Sequence, residues 1–289
     1  MRYVIAVGGN ALSKKEVLNK LSAHVVALSR EGNEVVVTHG NGPQVGRFAL
    51  HEKKSLAILT EETQVSIGSE IKSSLLMAAR HNGKIRVKAV ITHVLVDGND
   101  SEFKKPTKPI GKFYSKSEAE ALSRKGLVVK HLLEGYRRVV PSPKPIEIIE
   151  ANKVESLIRN GNIVIAAGGG GIAITKDGRR FKYADAVIDK DLTSALLAIK
   201  LKADMLFILT NVPGVFLNFE TKHEKMIKKI RADELKKYIK EGLFEPGSML
   251  PKVKACVEFA KKAHKPAVIG GLKTADKVFR LETATIILP

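Results

Sequence analysis

Residues 162–172 read NIVIAAGGGGI, an uninterrupted apolar run that ends in four consecutive glycines. The apolar part, 162–167, is one of eight short runs rich in β-branched residues; the others are 2–7, 34–38, 87–96, 186–188, 205–209, 267–269 and 283–288. Runs without polar alternation are typical of strands that are covered on both faces, as in parallel sheets. The sequence therefore predicts a buried, mainly parallel sheet.

Apolar residues recur at helical spacing between these runs. The stripes are Val17, Leu21, Val25 and Leu28; then Leu192, Leu196, Ile199 and Leu201; then Val253, Val257 and Ala260. Alternation of strands and helices predicts an α/β sandwich with crossover connections. Residues 97–145 break the alternation, because they are polar and rich in proline and glycine. A connection of this length predicts a lid or a small subdomain.

The composition indicates a soluble, basic protein. Its charge suggests an anionic partner, which could be nucleic acid, an acidic membrane surface or a phosphorylated small molecule; a solvated basic surface is the alternative. The chain has 289 residues, enough for one large domain or two lobes that share a sheet. Its 49 Lys and Arg against 30 Asp and Glu leave a formal net charge of +19. The basic residues form scattered doublets, and aromatic residues make up only 5%. This pattern lacks the basic arm or aromatic platform of a nucleic-acid-binding protein and favours phosphorylated small molecules.

The same sequence indicates a cytoplasmic location. No apolar run approaches the ~18 residues of a membrane span, and the glycine-rich N-terminal segment lacks the features of a signal peptide. The single cysteine, Cys256, excludes an internal disulfide and argues against a cysteine-based zinc site. Few glutamines beside abundant Lys and Glu indicate a thermophilic source.

Three of the predicted strands end in glycine-rich turns, at 7–11, 39–46 and 167–172. Glycine allows a ligand to approach the backbone closely, and a following helix points free N–H groups at an anion. A tight turn would explain any one of these loops alone. Because ligands bind beyond the carboxyl ends of parallel strands, the three together predict one anion site. Their spacing matches neither the G-x-G-x-x-G pattern nor the P-loop.

Two lysines stand at predicted helix N-termini. Asp191 is the predicted N-cap of one helix, with Lys190 just outside it. Pro251 suits the first position of another helix, which places Lys252 in its first turn. A lysine there opposes the helix dipole unless a bound anion compensates. Plain caps with solvated lysines are the alternative; otherwise both lysines face a transferring phosphoryl group, with Asp189 and Asp191 orienting them or holding Mg²⁺.

These motifs resemble those of the carbamate kinases, in the amino-acid-kinase superfamily. The matching stretches are GGNAL (8–12), THGNGPQVG (38–46), PTKPIGKFY (106–114), RRVVPSPKPIEI (137–148), IAAGGGGI (165–172), AVIDKDLTSALLA (186–198), ILTNVPGV (208–215) and PGSMLPKV (246–253). They follow the family's order and cover nearly the whole chain. PTKPIG, PSPKPI and IDKD distinguish this family within the superfamily. The segment after GGNAL is shorter than is usual in the family.

The resemblance implies a three-layer αβα sandwich around a mainly parallel central sheet, with a small protruding subdomain at about 98–138. Residues 1–185 would form an N-terminal acceptor lobe that includes this subdomain. Residues 186–289 would form a C-terminal nucleotide lobe. Members of the family are usually homodimers, so we expect a homodimer here, with no membrane or nucleic-acid partner.

The resemblance also implies a role for each site residue. Lys108, Lys190 and Lys252 would contact the phosphates, and Asp191 would orient the last two. The acceptor and the transferred phosphoryl group would be held by Gly8, Gly9, Asn10, Gly40, Asn41 and Gly42. The nucleotide would be held by Asp189, Thr210, Asn211, Val215, Phe216, Gly247 and Met249. Mg²⁺ would accompany ATP or ADP, bound mainly by the nucleotide phosphates rather than by protein ligands.

The implied reaction is ATP + carbamate ⇌ ADP + carbamoyl phosphate, by in-line phosphoryl transfer. Carbamate is already an anion, so its attacking oxygen needs no general base, in keeping with the absence of a His–carboxylate motif. Two alternatives stay open. One is another kinase of the superfamily that acts on a larger carboxylate or phosphate. The other is a nucleotide sensor or nucleic-acid-binding regulator on the same fold.

Overall fold

A computed structural model of the chain describes residues 1–9, 14–80, 85–132 and 135–289. Its largest sheet has eight strands. From one edge to the other they are β15 (Lys229–Arg231), β17 (Ala284–Leu288), β16 (Ala267–Gly271), β12 (Met205–Thr210), β1 (Arg2–Val7), β2 (Glu34–His39), β9 (Asn162–Ile165) and β3 (Arg86–Ala89). Every pairing in this sheet is parallel except that of β16 with β17. The predicted mainly parallel sheet is confirmed.

Two helical layers cover the faces of this sheet, which confirms the αβα sandwich. One layer contains α1 (Lys15–Arg30), α3 (Leu56–Ala79) and α9 (Ala275–Phe279); the other contains α5 (Ala151–Arg159), α6 (Lys190–Lys200), α7 (Ala232–Lys240) and α8 (Met249–Ala263). Within β1, Ile5 and Val7 pack toward the first layer, and Val4 and Ala6 pack toward the second. Because successive strand residues point to opposite faces, a strand buried on both faces is apolar at every position.

Two of the predicted strands are wrong. The run 87–96 contains two strands in different sheets, since the chain leaves the large sheet after β3. Between the two strands, the backbone N–H of Thr92 donates to Gln64 Oε1 over 3.0 Å instead of to a strand. The run 186–188 is a buried connection rather than a strand, and the Val187 N–H donates to the carbonyl of Pro141. Burial in the core explains its apolar character without sheet pairing.

After β3 the chain enters a second sheet. It contains β11 (Arg180–Tyr183), β10 (Ile172–Asp177), β4 (His93–Val96) and β8 (Pro145–Ile148), in that order. A short hairpin joins β13 (Val215–Leu217) to β14 (Lys225–Ile227). No helix in the described ranges has both the length and the apolarity to cross a bilayer.

The excursion at 97–145 folds into a separate three-stranded antiparallel sheet. Its strands are β5 (Lys108–Tyr114), β7 (Gly135–Val140) and β6 (Val129–Leu132), in that order. The helix α4 (Lys116–Arg124) begins at a capping box, in which Ser115 and Glu118 each bind the other's backbone N–H. The subdomain rests beside α2 (Gly42–His51), the helix that follows β2 directly. The lobe boundaries given above stay predictions.

Candidate active site

A cavity of about 460 Å³ opens at the carboxyl ends of β1, β2 and β12. This edge of a parallel sheet is the usual place for a ligand. Residues from the core line it: Gly8, Gly9, Gly40, Asn41, Gly42, Pro43, Gly169, Ile188, Asp189, Lys190, Asp191, Thr210, Asn211, Glu245, Pro246, Gly247, Ser248 and Lys252. Residues from the subdomain close it: Lys108, Pro109, Phe113, Leu132 and Arg137. A larger groove of about 990 Å³ between α1, α2 and α3 includes none of the three lysines of the motifs, so we place the site in the smaller cavity.

The three glycine loops meet at this cavity. A Cβ atom added to Gly40 would lie 2.9 Å from the backbone N of Gly9, so only glycine fits there. Gly169 has a φ of +65° and packs against the Asn41 side chain. These contacts bring the backbone of all three loops to one point, as the sequence predicted. Asn10, a predicted acceptor residue, lies outside the described residues.

The N-terminus of α6 differs from its prediction. Asp189, and not Asp191, is the N-cap: its Oδ1 accepts hydrogen bonds from the backbone N–H of Asp191 at 2.9 Å and of Leu192 at 3.3 Å. The extended backbone of Asp189 (φ −72°, ψ 121°) suits a cap position. Lys190 is therefore the first helical residue. The other oxygen of Asp189 accepts from Lys108 Nζ over 2.7 Å, which connects the subdomain to α6.

Asp191 points inward and binds two lysines. Its side chain is only 3% exposed, and its Oδ1 is paired with Lys190 Nζ. Its Oδ2 accepts from Lys252 Nζ over 3.2 Å, and the same ammonium group donates to the carbonyl of Ser248 over 3.0 Å. The two lysines predicted at helix N-termini are thus held side by side by one buried carboxylate.

The start of α8 also differs in detail. The helix begins at Met249, so Pro251 is its third residue and Lys252 its fourth. The first four N–H groups of a helix have no partner within it. A proline at the third position therefore costs no hydrogen bond, and Lys252 stands at the end of the first turn.

Burial and charge shift the ionisation of these groups. Burial alone would raise the pKa of the Asp189 carboxyl, but the charge of Lys108 and its hydrogen bond lower it overall. Burial lowers the pKa of Lys190 in spite of its pairing with Asp191. For Lys252, burial is outweighed by the charges of Asp191 and Asp189, so its pKa is raised. Asp189 and Lys252 are therefore both charged at neutral pH.

Two further buried groups beside the lysines are neutral. Burial lowers the pKa of His39 to about 4, and its Nδ1 lies 3.2 Å from the carbonyl oxygen of Gly40, to which it donates. Burial and the nearby Asp191 raise the pKa of the Cys256 thiol well above its ordinary value. His39 therefore supports the glycine loop through the backbone of Gly40.

The predicted nucleotide residues fall into two groups. Asp189, Thr210, Asn211 and Gly247 line the cavity. The other three are not among its lining residues: Val215, Phe216 and Met249. Val215 is fully buried in the core, and its backbone N–H donates to Thr285 Oγ1 over 2.8 Å. Contacts of these three residues with a nucleotide stay predictions.

The subdomain supplies residues that the sequence did not single out. Phe113 of β5 and Arg137 of β7 line the cavity, and the Arg137 guanidinium lies 5.2 Å above the Phe113 ring. Arg137 Nη2 also donates to the carbonyl of Gly111 over 2.8 Å. Because the two strands are distant in sequence, only the pairing of β5 with β7 brings these residues together. The stretch RRVVPSPKP was the available signal.

A metal site made of protein ligands is not found in the described ranges, where no three His, Cys, Asp or Glu side chains are grouped around one point. The expectation that Mg²⁺ is carried mainly by nucleotide phosphates stays a prediction.

Comparison with known proteins gives one consistent family. Residues 1–271 match the model of the amino acid kinase family. A carbamate kinase of Thermoplasma volcanium is 40% identical over 100% of both chains, and carbamate kinase 3 of Staphylococcus aureus is 43% identical over 93% of both. The solved structure of the carbamate kinase of Giardia lamblia bound to AMP-PNP is 33% identical, covers 99% of this chain and 98% of its own, and superposes with a TM-score of 0.87.

Proposed function

The chain belongs to the amino acid kinase family and, within it, to the carbamate kinases, and from this premise we propose that it catalyses ATP + carbamate ⇌ ADP + carbamoyl phosphate. One observation carries the proposal: Asp191 holds Lys190 and Lys252 together at two helix N-termini, facing the glycine loops. Paired cations beside free backbone N–H groups suit an oxyanion whose charge is shared among several oxygens.

The residues present suit an in-line transfer. A carbamate oxygen attacks the γ-phosphorus, and the bond from that phosphorus to the oxygen of the departing ADP breaks. Lys190 and Lys252 offset the charge that develops on the transferred group and on the leaving oxygen. Backbone N–H groups of Gly8, Gly9, Gly40, Asn41 and Gly42 orient the phosphoryl group and the acceptor, with Asn10 as their proposed companion. Carbamate is already an anion, so no general base takes part.

The carboxylates beside the cavity bear on how Mg²⁺ would bind. Asp189 is occupied by Lys108, and Asp191 by Lys190 and Lys252. Mg²⁺ keeps several waters and is commonly held by substrate phosphates with one or two carboxylates. We therefore propose that the metal enters with ATP or ADP and is held mainly by its phosphates, where it supplies charge neutralisation.

The proposed lobes divide the substrates between them. The subdomain and the glycine loops belong to the acceptor lobe, 1–185, and Thr210, Asn211 and Gly247 belong to the nucleotide lobe, 186–289. We place adenine near 210–216 and Met249, so that Val215, Phe216 and Met249 complete the nucleotide site. Lys108 is the subdomain residue that reaches α6, through Asp189.

This division predicts a selective effect of Lys108→Ala. We expect kcat/KM for carbamoyl phosphate to fall on the order of tenfold or more, because one phosphate-binding charge is lost. The Kd for ADP should change by less than about threefold. Calorimetry with MgADP and a coupled ATP assay measure the two effects. Lys112→Ala is the control, since that lysine lies on the same strand but is 63% exposed and paired with Glu118. Equal losses for carbamoyl phosphate and ADP would contradict the division.

We further propose that the protein is a homodimer. Large apolar side chains are exposed on α3 and on β11, the strand that pairs with β10: Ile58 at 37%, Val65 at 53%, Phe181 at 53% and Tyr183 at 51%. Tyr183 donates to Glu61 Oε2 over 3.2 Å, so β11 lies beside α3. We propose that the exposed side chains of these two elements form one patch. A contiguous apolar patch of this kind is typical of an interface.

The combined substitution Val65→Glu and Phe181→Glu is expected to convert the dimer to a monomer, because it buries two carboxylates in the interface. Light scattering coupled to gel filtration measures the mass. Leu243→Glu serves as the control, since Leu243 is 47% exposed at the end of α7. A wild-type mass of one chain, or a double variant that stays dimeric, would exclude this interface.

An acceptor panel tests the proposed function. ADP formation from MgATP is measured with carbamate, acetylglutamate, aspartate, UMP and isopentenyl phosphate at equal concentrations. We expect carbamate to be used with the highest kcat/KM. Preference for any other acceptor would assign the chain to a different specificity within the superfamily.

A further inference from the structure

The subdomain is attached to the core along one side of α2. Val45 of α2 packs with Ile110 of β5 and Val140 of β7 in a small hydrophobic cluster that also contains Leu56, Leu59 and Val187. At the other end of the helix, Arg138 Nη1 donates to the carbonyl of Ala49 over 2.9 Å. Contacts at both ends fix the direction in which α2 crosses the subdomain sheet.

One close contact between α2 of the core and β5 of the subdomain is made through backbone atoms. Gly46 of α2 packs against Gly111 of β5, and a Cβ atom added to Gly46 would overlap the backbone N and Cα of Gly111 and lie 2.9 Å from the carbonyl carbon of Ile110. Gly111 itself has a φ of +73°, a conformation that favours glycine. No side chain stands between the two elements at this point, so their separation is set by the backbones.

This contact lies between the two halves of the acceptor site. On one side, α2 begins at Gly42, directly after the loop residues Gly40 and Asn41 that line the cavity. On the other side, β5 begins at Lys108, and the carbonyl of Gly111 accepts from Arg137. A shift at Gly111 therefore moves Lys108 and Arg137 relative to the loop 40–42.

We propose that Gly46 is a positioning residue: its backbone contact with Gly111 sets where Lys108 and Arg137 stand relative to the loop 40–42 that receives carbamoyl phosphate. The proposal rests on the proposed function. Reacting groups must be placed to within a fraction of an ångström, and a misplacement of about 1 Å can cost on the order of 10² in rate. A single methyl group at residue 46 is large enough to force such a shift.

The test is Gly46→Ala, assayed as ATP formation from MgADP and carbamoyl phosphate. We expect kcat/KM for carbamoyl phosphate to fall at least about tenfold, with the Kd for MgADP unchanged within about twofold. Gly68→Ala is the matched control, because Gly68 is also helical and its added Cβ would meet only Ala89 at 3.9 Å. A general loss of folding would weaken MgADP binding as well. A fall in kcat/KM for carbamoyl phosphate with an unchanged Kd for MgADP therefore shows that Gly46 positions the acceptor site.

Val45→Ala gives an independent test, since it loosens the same attachment by removing buried methyl groups instead of inserting one. We expect it to lower kcat/KM for carbamoyl phosphate and to leave the Kd for MgADP unchanged, as for Gly46→Ala. If Gly46→Ala does not melt cooperatively, Val45→Ala is the deciding variant. Wild-type kcat/KM in folded Gly46→Ala, or in Val45→Ala in that event, would overturn the inference. If the wild-type chain forms no ATP from these substrates, the proposed function fails instead, and the two failures are distinguishable.

Discussion

Lys252→Ala is expected to lower kcat by on the order of 10², which corresponds to roughly 3 kcal/mol of transition-state stabilisation. Lys252 Nζ is fixed by Asp191 Oδ2 and by the carbonyl of Ser248, so its charge is held in place before the reaction begins. A preorganised charge of this kind acts most strongly when negative charge develops on the transferred group. The KM for ADP should rise far less than kcat falls.

The measurement is steady-state ATP formation, together with a melting curve that shows the variant is folded. Lys254→Ala is the matched control, because Lys254 is two residues further along the same helix and is exposed. We expect this control to keep wild-type kinetics within about twofold at physiological ionic strength, where exposed charges are screened. Wild-type turnover in folded Lys252→Ala would remove Lys252 from the proposed mechanism.

Asp191→Asn is expected to have the largest effect on stability. It leaves two mostly buried lysine side chains, those of Lys190 (11% exposed) and Lys252 (17% exposed), without the buried carboxylate that both contact. Breaking a buried ion pair by removing one partner costs about 3–5 kcal/mol. For a chain of this size that corresponds to a fall in Tm of roughly 5–10 °C. Activity should fall with it, because neither lysine keeps its position.

Thermal unfolding followed by circular dichroism measures this effect. Asp233→Asn is the control, because it removes a carboxylate that is 75% exposed and paired with Lys261 at the surface. An ion pair at the solvent-exposed surface contributes little to stability, so the Tm should hardly change. Equal Tm values for Asp191→Asn and the wild type would show that the two lysines do not depend on Asp191.

Most of the fold could be predicted because strands buried on both faces have a distinct composition. Ile163 and Val164 of β9 are each fully buried, yet they face opposite helical layers. The same signal failed at 186–188. A connection that crosses the core is as apolar as a buried strand, although it pairs with no strand. It also failed within 87–96, where the side chain of Gln64 binds the Thr92 backbone between two strands of different sheets. Whether such an apolar run forms a strand depends on contacts between residues that are far apart in the sequence, and these contacts cannot be predicted from periodicity.

The candidate site was predictable where one segment contains the whole signal. Lysines at helix N-termini and glycines at strand ends identified Lys190, Lys252 and the loops. The order of the two aspartates could not be settled this way, because Asp189 and Asp191 are both acceptable caps and only the buried lysine pair decides which one turns inward. Phe113 and Arg137 were missed because their place in the cavity depends on strand pairing within the subdomain.

The central proposal is that Lys190 and Lys252, held by Asp191, stabilise the transfer of a phosphoryl group between carbamoyl phosphate and ADP. Its most direct test is the initial rate of ATP formation from MgADP and carbamoyl phosphate, with wild type and Lys190→Ala measured side by side. We predict ATP formation in proportion to wild-type enzyme, and a rate on the order of 10² lower for the folded variant. No ATP from a wild-type chain that binds MgADP, or equal rates for the two chains, would contradict it.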